Sequence, residues 1–314
     1  MNFASIYNPR TKKISYFIES EQSKSHLSLE NFEQSTKYHF SRTEFIDYSQ
    51  VELIEKNEYS ISKESYTAWV EKIKSLIDEG LLTKGVAAQK QVNSFDGHLI
   101  DLQVIFKNLI QRFPNTFVYL FYIENTLWIG ASPEIIGILE NNQFSTISLA
   151  GTVSDANFSE KEREEQAIVS NFMEKLLSQN RKTSTEISPQ IYRFGNIQHL
   201  ITEHKMEVDA SFDFERMIHE IHSSPALAGF PKQSAINSIL EFEELKRDFY
   251  CGLAHIYETK DSQYSFALIR CAEISKNQIA FYAGAGITQD SDAEKEWEEV
   301  MKKNNTLASA IALN

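Results

Sequence analysis

The chain has 314 residues, of which 42% are hydrophobic and 12% aromatic, and it carries a formal net charge of −13. It can bury a large core, while its acidic balance argues against a nucleic-acid-binding surface, which requires clustered basic side chains. Two cysteines are too few for a disulfide framework, and no apolar run reaches the ~18 residues of a membrane span. We therefore expect a monomeric, cytoplasmic protein without nucleic-acid or membrane partners.

The order of the predicted elements indicates a mixed α and β chain. Apolar residues at helical spacing predict a helix from Ser65 to Asp78. The apolar runs Phe117–Ile123 and Leu127–Ile129, separated by a turn at Glu124, predict a β-hairpin. Adjacent strands joined by short turns are typical of antiparallel sheets and not of βαβ units. The remaining predictions are strands at 14–18, 51–54, 84–92, 135–139, 144–149, 190–194, 250–258, 264–273 and 278–283, and helices at 97–111, 159–178, 232–246 and 292–312.

Glu165 heads the apolar stripe of the helix predicted at 159–178. At helical spacing it shares a face with Val169 and Phe172, whereas its acidic neighbours fall largely on other faces. A carboxylate that faces inward must be paired, protonated or bound to a metal. The alternative is that Glu165 complements the helix dipole from the first turn while its side chain curls back to water.

The last predicted helix places Glu299 and Lys303 one turn apart. This is the favourable order for an exposed ion pair, which is the plain interpretation of the two residues. Before the helix, the run Phe281–Ile287 predicts a strand that ends in a bare-backbone turn at Gly284–Gly286. Such a turn can offer N–H groups to an anion, although glycines at turns are more often structural.

Four further polar residues occur in apolar surroundings. Glu134 follows a predicted strand at a turn, and Lys84 begins another strand, where a solvated lysine is the ordinary alternative. Arg270 lies between apolar residues in the strand predicted at 264–273, and a buried guanidinium requires an anionic partner. His222 is as compatible with a hydrogen-bonded structural histidine as with a binding residue.

Five stretches of the sequence together resemble the catalytic domain of the chorismate-utilising (chorismate-binding) enzymes, from about residue 66 to the C-terminus. Within that family the chain is most similar to the isochorismate synthases. The resemblance implies an α+β fold like that of anthranilate synthase component I, with antiparallel sheets packed face to face and helices outside. It also implies one catalytic domain over 1–314, with a weakly matched part at 1–62 and a core at 63–314. The five stretches are Gly130–Glu134, Leu149–Thr152, Ser159–Glu165, Ile269–Ala272 and Tyr282–Lys303.

The resemblance also implies roles for individual residues. Lys84 matches the base that activates water, and Glu134 matches the acid that protonates the departing hydroxyl. Glu165 and Glu299 match carboxylates that hold Mg²⁺ against the ring carboxylate of the substrate. The matches to substrate-binding positions are Ala150, Gly151, Thr152, His222 beside the ring, Arg270, Gly284, Ala285, Gly286 and Lys303.

Two of these positions discriminate between activities within the family. Anthranilate and aminodeoxychorismate synthases lack a lysine at position 84, and the latter carry a nucleophilic lysine where this chain has Ala150. The combination found here implies Mg²⁺-dependent isomerisation of chorismate to isochorismate, by addition of water at ring carbon 2 and loss of the carbon 4 hydroxyl. The alternatives are a salicylate synthase, which also eliminates pyruvate, and a noncatalytic chorismate-binding protein. The sequence leaves open whether the product enters menaquinone or siderophore biosynthesis.

Overall fold

The structure is a computed structural model and describes residues 1–94, 101–153, 158–180, 184–194 and 197–311. This part of the chain contains sixteen strands and six α-helices. The strands are β1 (Phe3–Asn8), β2 (Lys13–Glu19), β3 (Leu27–Glu30), β4 (Lys37–Thr43), β5 (Lys84–Ser94), β6 (Phe117–Ile123), β7 (Thr126–Ser132), β8 (Ile135–Glu140), β9 (Gln143–Val153), β10 (Ser184–Phe194), β11 (Ile197–Glu207), β12 (Gly229–Phe230), β13 (Gly252–Thr259), β14 (Ser262–Leu268), β15 (Cys271–Ile274) and β16 (Gln278–Ile287). The helices are α1 (Lys63–Asp78), α2 (Leu102–Arg112), α3 (Glu160–Asn180), α4 (Phe214–Ile221), α5 (Lys232–Phe242) and α6 (Ala293–Ile311). No helix in the described part is long and apolar enough to cross a membrane.

All of the strands join one hydrogen-bonded sheet in which every neighbouring pair is antiparallel. The strand order is β10-β11-β9-β8-β14-β13-β3-β4-β2-β1-β6-β7-β15-β16-β5-β12. The N-terminal strands β1–β4 therefore lie in the middle of the sheet, between β13 and β6.

The sheet folds back so that its two halves pack against each other. The rings of Phe117 in β6 and Phe266 in β14 stack with centroids 4.4 Å apart, although five strands separate β6 from β14 in the strand order. The Tyr119 hydroxyl, also in β6, donates to the carbonyl oxygen of Ile269 at 3.2 Å. This arrangement, with helices such as α1 and α6 on the outside, confirms the predicted α+β fold with face-to-face antiparallel layers.

Several predicted elements match the structure closely. The hairpin is formed by β6 and β7, and the helix predicted from Ser65 to Asp78 is α1. The helix predicted at 159–178 is α3, and the one predicted at 292–312 is α6, whose residue 312 lies outside the described part. The helix predicted at 97–111 is α2, which begins at Leu102, and residues 97–100 also lie outside the described part.

The strand predicted at 51–54 was wrong. The backbone there pairs with side chains and loops instead of another strand: the Tyr122 hydroxyl accepts from the N–H of Glu52 at 3.3 Å and donates to its carbonyl at 2.9 Å. The carbonyl oxygen of Ile54 accepts from the N–H of Lys276 at 2.9 Å. These bonds fix the segment on the sheet surface without adding a strand to it.

The predicted turn at Gly284–Gly286 was also wrong, because β16 continues to Ile287 and pairs with β5 along its whole length. Gly284 faces Ala88 and Gly286 faces Val86 in this ladder. The strand predicted at 264–273 is broken instead: β14 ends at Leu268, β15 begins at Cys271, and Arg270 adopts a φ of 51° between them. The glycine run is thus strand and the arginine lies at a kink.

Candidate active site

A cavity lies between the two halves of the sheet, and α3 and α6 contribute residues to its lining. The side chains of Tyr250 and Leu227 form part of its wall, together with the backbone of β16. Most of the residues that the sequence suggested as site residues line this one cavity. They are Glu134, Ala150, Gly151, Thr152, Glu165, Arg270, Gly284, Gly286 and Lys303.

Lys84 lies directly behind this wall, at the first residue of β5, and is 0% exposed. Its Nζ is 3.0 Å from Oε1 of Glu165. Glycine at 286 makes room for the pair, since a Cβ there would overlap the Glu165 carboxylate and lie 2.8 Å from Lys84 Cε. The interpretations of Lys84 as a solvated lysine and of Glu165 as a residue curling back to water were both wrong.

Glu134 lies at the corner between β7 and β8 and is 1% exposed. Its backbone is held by two hydrogen bonds, from its own N–H to Ser132 Oγ at 3.2 Å and from the N–H of Ala267 to its carbonyl at 3.1 Å. Burial raises the pKa of its carboxyl to about 8, although the charges of Lys84 and Arg270 oppose the shift. The side chain is therefore protonated at neutral pH and can act as an acid.

Arg270 is held by a neutral partner. Its Nη2 donates to Nε2 of His199 at 2.9 Å, and its guanidinium lies 5.0 Å from the centroid of the Phe194 ring. Burial lowers the pKa of Arg270 to about 10. No carboxylate among the described residues forms an ion pair with it, so the anionic partner that a buried guanidinium requires is left to a ligand.

His199 was missed from the sequence. Burial and the nearby Arg270 charge hold its pKa well below the usual range, so the ring is neutral. Because Nε2 accepts from Arg270, Nδ1 carries the proton and donates to Thr152 Oγ1 at 3.2 Å. The available signal was its inward position in the alternating pattern of β11, where Ile197 and His199 are buried and Gln198 is not.

Three buried charged or ionisable side chains at this cavity have polar atoms without a regular hydrogen bond. Within the described part of the chain, Glu134 Oε1 and Arg270 Nη1 have no hydrogen-bond partner, and Lys84 Nζ makes its ion pair without a well-aligned hydrogen bond. Buried polar groups are normally satisfied, and leaving them unpaired costs free energy. The unpaired Arg270 Nη1 and Glu134 Oε1 are therefore suited to contact a polar, anionic ligand.

A second group of charges extends from the cavity into an adjoining cleft. Glu299 lines that cleft rather than the cavity, and Thr152 lines both. Lys303 donates to Glu299 Oε1 at 2.6 Å and to the carbonyl of Gly284 at 2.8 Å. Lys303 is only 8% exposed and the Glu299 side chain 19%, so the exposed ion pair suggested by the sequence is in fact largely removed from solvent.

Three carboxylates in this region share an electrostatic environment. Burial opposes ionisation of Glu165, but Lys84 and other lysines outweigh it and lower the pKa of the carboxyl. Burial raises the pKa of Glu296 to about 7; Lys161, at 2.7 Å, lowers it, whereas the charges of Glu299 and Glu165 raise it further. Mutual repulsion of this kind is relieved by a bound cation.

The donor set fits a partial Mg²⁺ site rather than a complete cage. Over the described ranges, no three His, Cys, Asp or Glu side chains cluster closely enough to hold a metal by themselves. Mg²⁺ is commonly bound by one or two carboxylates together with waters and substrate oxygens. Glu165 from α3 and Glu299 from α6 are the residues that could supply those carboxylates.

Two of the suggested substrate-binding residues do not line the cavity. His222 is 0% exposed; its Nε2 donates to the carbonyl of Cys251 at 2.7 Å, and its Nδ1 accepts from Gln34 Nε2 at 3.0 Å. Burial lowers the pKa of His222 to about 4. With both ring nitrogens bonded within the protein, His222 supports the cavity wall through Cys251. Ala285 does not line the cavity, although Gly284 and Gly286 on either side of it do.

This fold, with a glutamate, a lysine and an arginine buried at one cavity, corresponds to a known class of enzyme. Residues 8–312 match the family model described as chorismate binding enzyme, and the chain therefore belongs to the chorismate-binding enzymes. Isochorismate synthase EntC of Escherichia coli (strain K12) is 30% identical over 235 residues, which cover 68% of this chain and 59% of that protein. Anthranilate synthase component 1 of Aquifex aeolicus is 27% identical over 272 residues, covering 81% of this chain and 54% of that protein.

The fold is shared with a solved relative. The structure of MenF, the menaquinone-specific isochorismate synthase from Escherichia coli, has a TM-score of 0.83 at 18% identity and covers 99% of this chain and 89% of that chain. By sequence, the chain spans less than two thirds of the length of these two curated relatives, 59% of EntC and 54% of the Aquifex enzyme. The chain is thus similar both to a protein named isochorismate synthase and to one named anthranilate synthase. The choice between these two activities depends on the residues of the site.

Proposed function

We propose that the protein is an isochorismate synthase that converts chorismate into isochorismate. The observation that carries this proposal is the buried Lys84 behind the cavity wall, together with the protonated Glu134 in that wall. Ala150 adds support, because no lysine nucleophile stands at that position of the cavity. The relatives named isochorismate synthase are consistent with the same activity.

In the proposed reaction, the neutral form of Lys84 takes a proton from water, and the water oxygen bonds to ring carbon 2. Both double bonds of the ring shift by one position, and the bond from carbon 4 to its hydroxyl breaks as Glu134 gives that oxygen a proton. One water enters and one leaves, so the product is an isomer of the substrate. A base and an acid on separate structural elements suit this division of work.

Chorismate carries two carboxylates, and the site offers charge for both. We propose that Arg270 Nη1 and Lys303 bind the enolpyruvyl carboxylate, with Thr152 and the backbone of Gly151 and Gly284 close by. Gly151 adopts a φ of 67°, and a Cβ there would meet the backbone of Glu162, so glycine keeps this wall thin. Mg²⁺ held by Glu165 and Glu299 would neutralise the ring carboxylate.

We also propose that residues 1–62 and 63–314 act as one catalytic domain, which is supported by the position of β1–β4 inside the common sheet.

A cytoplasmic location is proposed because Cys251 and Cys271 are free thiols. A monomer is proposed as the working state, and size-exclusion chromatography tests it. Complementation of strains blocked in menaquinone or in siderophore synthesis would assign the pathway.

The deciding experiment is incubation of the purified protein with chorismate and Mg²⁺, followed by chromatographic separation of the products. We expect isochorismate to form without ammonia and without an equivalent of pyruvate. Salicylate with pyruvate as the main products would instead establish a salicylate synthase. Chorismate binding without turnover would establish a noncatalytic binding protein.

A further inference from the structure

A second buried ion pair lies on the opposite side of β5 from β16. Glu243 and Arg247 follow α5, and their side chains are 2% and 1% exposed. The guanidinium holds the carboxylate at two points, from Nε to Oε2 at 2.7 Å and from Nη2 to Oε1 at 2.9 Å. A buried pair of this kind adds little to stability by itself, because desolvation offsets the attraction. The other hydrogen bonds of Glu243 and Arg247 indicate a further role for the pair.

The pair takes the place of a neighbouring strand along β5. The short strand β12 pairs only with Lys84 and Gly85, the first two residues of β5. Farther along this edge, the carbonyl of Val86 accepts from Arg247 Nη2 at 2.9 Å, and the N–H of Ala88 donates to Glu243 Oε1 at 3.0 Å. Two backbone groups that would otherwise be unpaired are thus satisfied by side chains.

The same guanidinium reaches a second part of the cavity wall. Arg247 Nη1 donates to the carbonyl of Leu227 at 2.7 Å, and both Leu227 and Val86 line the cavity. Trp69 Nε1 of α1 donates to Glu243 Oε1 at 3.1 Å and fixes the carboxylate from the other side. Arg247 therefore joins two walls of the cavity at the point where β5 has just left Lys84. A lysine could not make these bonds, because its donors radiate from a single nitrogen.

We propose that Arg247 is a positioning residue: through Glu243 and the edge of β5, it fixes Lys84 relative to the rest of the cavity. This role rests on the proposed isomerisation, in which Lys84 is the base. Arg247 touches neither the cavity interior nor the reacting atoms. A displacement of about 1 Å at a reacting group can cost up to about 10²-fold in rate, so loss of this brace is expected to show in kcat.

The test uses the double variant Arg247→Met/Glu243→Leu, with Arg247→Lys as a second change. Replacing both partners by apolar residues of similar size is often tolerated by the fold, unlike removal of one charge. We expect the double variant to fold, with kcat lowered by about 10- to 10²-fold and KM changed much less. Arg247→Lys should also lower kcat, as the double variant does. The matched control is Glu273→Gln, which breaks the buried pair with Lys56 outside both the cavity and the cleft and should leave kcat near wild type.

A cycle with Lys84→Gln separates positioning from general destabilisation. If Arg247 acts through Lys84, adding Arg247→Met/Glu243→Leu to Lys84→Gln should lower kcat little further. If the two changes act independently, their fold-losses in kcat should multiply. Hydrogen exchange of the 84–88 peptide should also quicken in the double variant. The role of Arg247 would be overturned if the losses in kcat multiply. It would also be overturned if the double variant leaves both kcat and the hydrogen exchange of the 84–88 peptide unchanged. Absence of isochorismate from the wild-type protein would instead remove the proposed function, and the exchange result would then decide alone whether the pair braces β5.

Discussion

Lys84 and Glu165 meet as an ion pair inside the protein, with Nζ 3.0 Å from Oε1 and side-chain exposures of 0% and 11%. The proposed base and a proposed metal ligand are therefore direct partners of each other. Mg²⁺ bound by Glu165 would compete with Lys84 for the same carboxylate.

Replacing Lys84 by Gln should lower kcat by at least about 10², the usual contribution of a positioned acid or base. Substrate affinity should change much less, because Lys84 lies behind the cavity wall rather than in it. The matched control is Lys90→Gln in the same strand, where Nζ bonds Glu58 at 3.1 Å away from the cavity. A Lys84→Gln protein with near-normal kcat would mean that another group activates the water.

Glu134 should control the alkaline limb of the activity. Its pKa is raised from 4.5 to about 8 by burial, so the acid form is lost as pH rises, and kcat/KM should fall through about pH 8. Glu134→Gln should lower kcat by at least about 10² and abolish this limb. The control Glu140→Gln alters a half-exposed carboxylate paired with Arg10. If the alkaline limb of kcat/KM is unchanged in Glu134→Gln, a group other than Glu134 controls it.

The same shift has a consequence for stability. Because the folded-state pKa of Glu134 lies above the unfolded value, its favourable contribution is complete below about pH 4.5 and is lost progressively up to about pH 8. Glutamine does not titrate, so the Tm of Glu134→Gln relative to wild type should rise between these limits and level off above them. Thermal unfolding of both proteins across this pH range would show it, and a flat difference would contradict the buried, protonated state.

Removal of either proposed metal ligand should weaken Mg²⁺ binding. Glu165→Gln and Glu299→Gln are each expected to reduce Mg²⁺ affinity by at least about tenfold, since changes even beyond the direct ligands commonly cost 10- to 100-fold. Titration calorimetry with Mg²⁺ measures this independently of turnover. Glu164→Gln, next to Glu165 but exposed, is the control. Full wild-type activity in excess chelator would contradict a metal-dependent reaction.

A side chain at position 286 should displace the Lys84–Glu165 pair, although the backbone conformation of Gly286 would accept one. A Cβ would overlap the Glu165 carboxylate and approach Lys84 Cε to 2.8 Å. Gly286→Ala should therefore keep its fold while the pair moves apart, with kcat lowered by at least about tenfold. Circular dichroism and steady-state kinetics test this together, with Ala280→Gly in the same strand as the control. Normal kcat would show that the pair can shift without effect.

The elements that local pattern could predict are those whose core face repeats regularly. The helix at 65–78 and the hairpin of β6 and β7 have that pattern, and the phase of Glu165 on α3 correctly turned its carboxylate inward. Among the N-terminal strands, the sequence predicted β2, at 14–18, and missed β1, β3 and β4; of these, β4 is mostly half-exposed and carries few apolar residues. Their place in the sheet comes from long-range pairing, which a local pattern does not contain.

The contacts within the site depend on packing that the sequence alone does not reveal. Lys84 reaches Glu165 only because β5, β16 and α3 converge at Gly286. The kink at Arg270 requires a φ of 51°, which an apolar run does not signal. The resemblance to a family located these residues, whereas their burial, ionisation and partners, including His199, required the three-dimensional arrangement.

The central place of β1–β4 bears on how the protein can be shortened. A chain that began at Lys63 would keep every residue proposed for the chemistry, yet β6 would lose its partner β1 and β13 would lose β3. Two long backbone edges would then face solvent in the middle of the molecule, and such edges recruit strands from other molecules. We expect the truncated protein to accumulate as aggregates instead of a smaller enzyme. The weakly matched residues 1–62 are therefore required to keep the two halves of the sheet together.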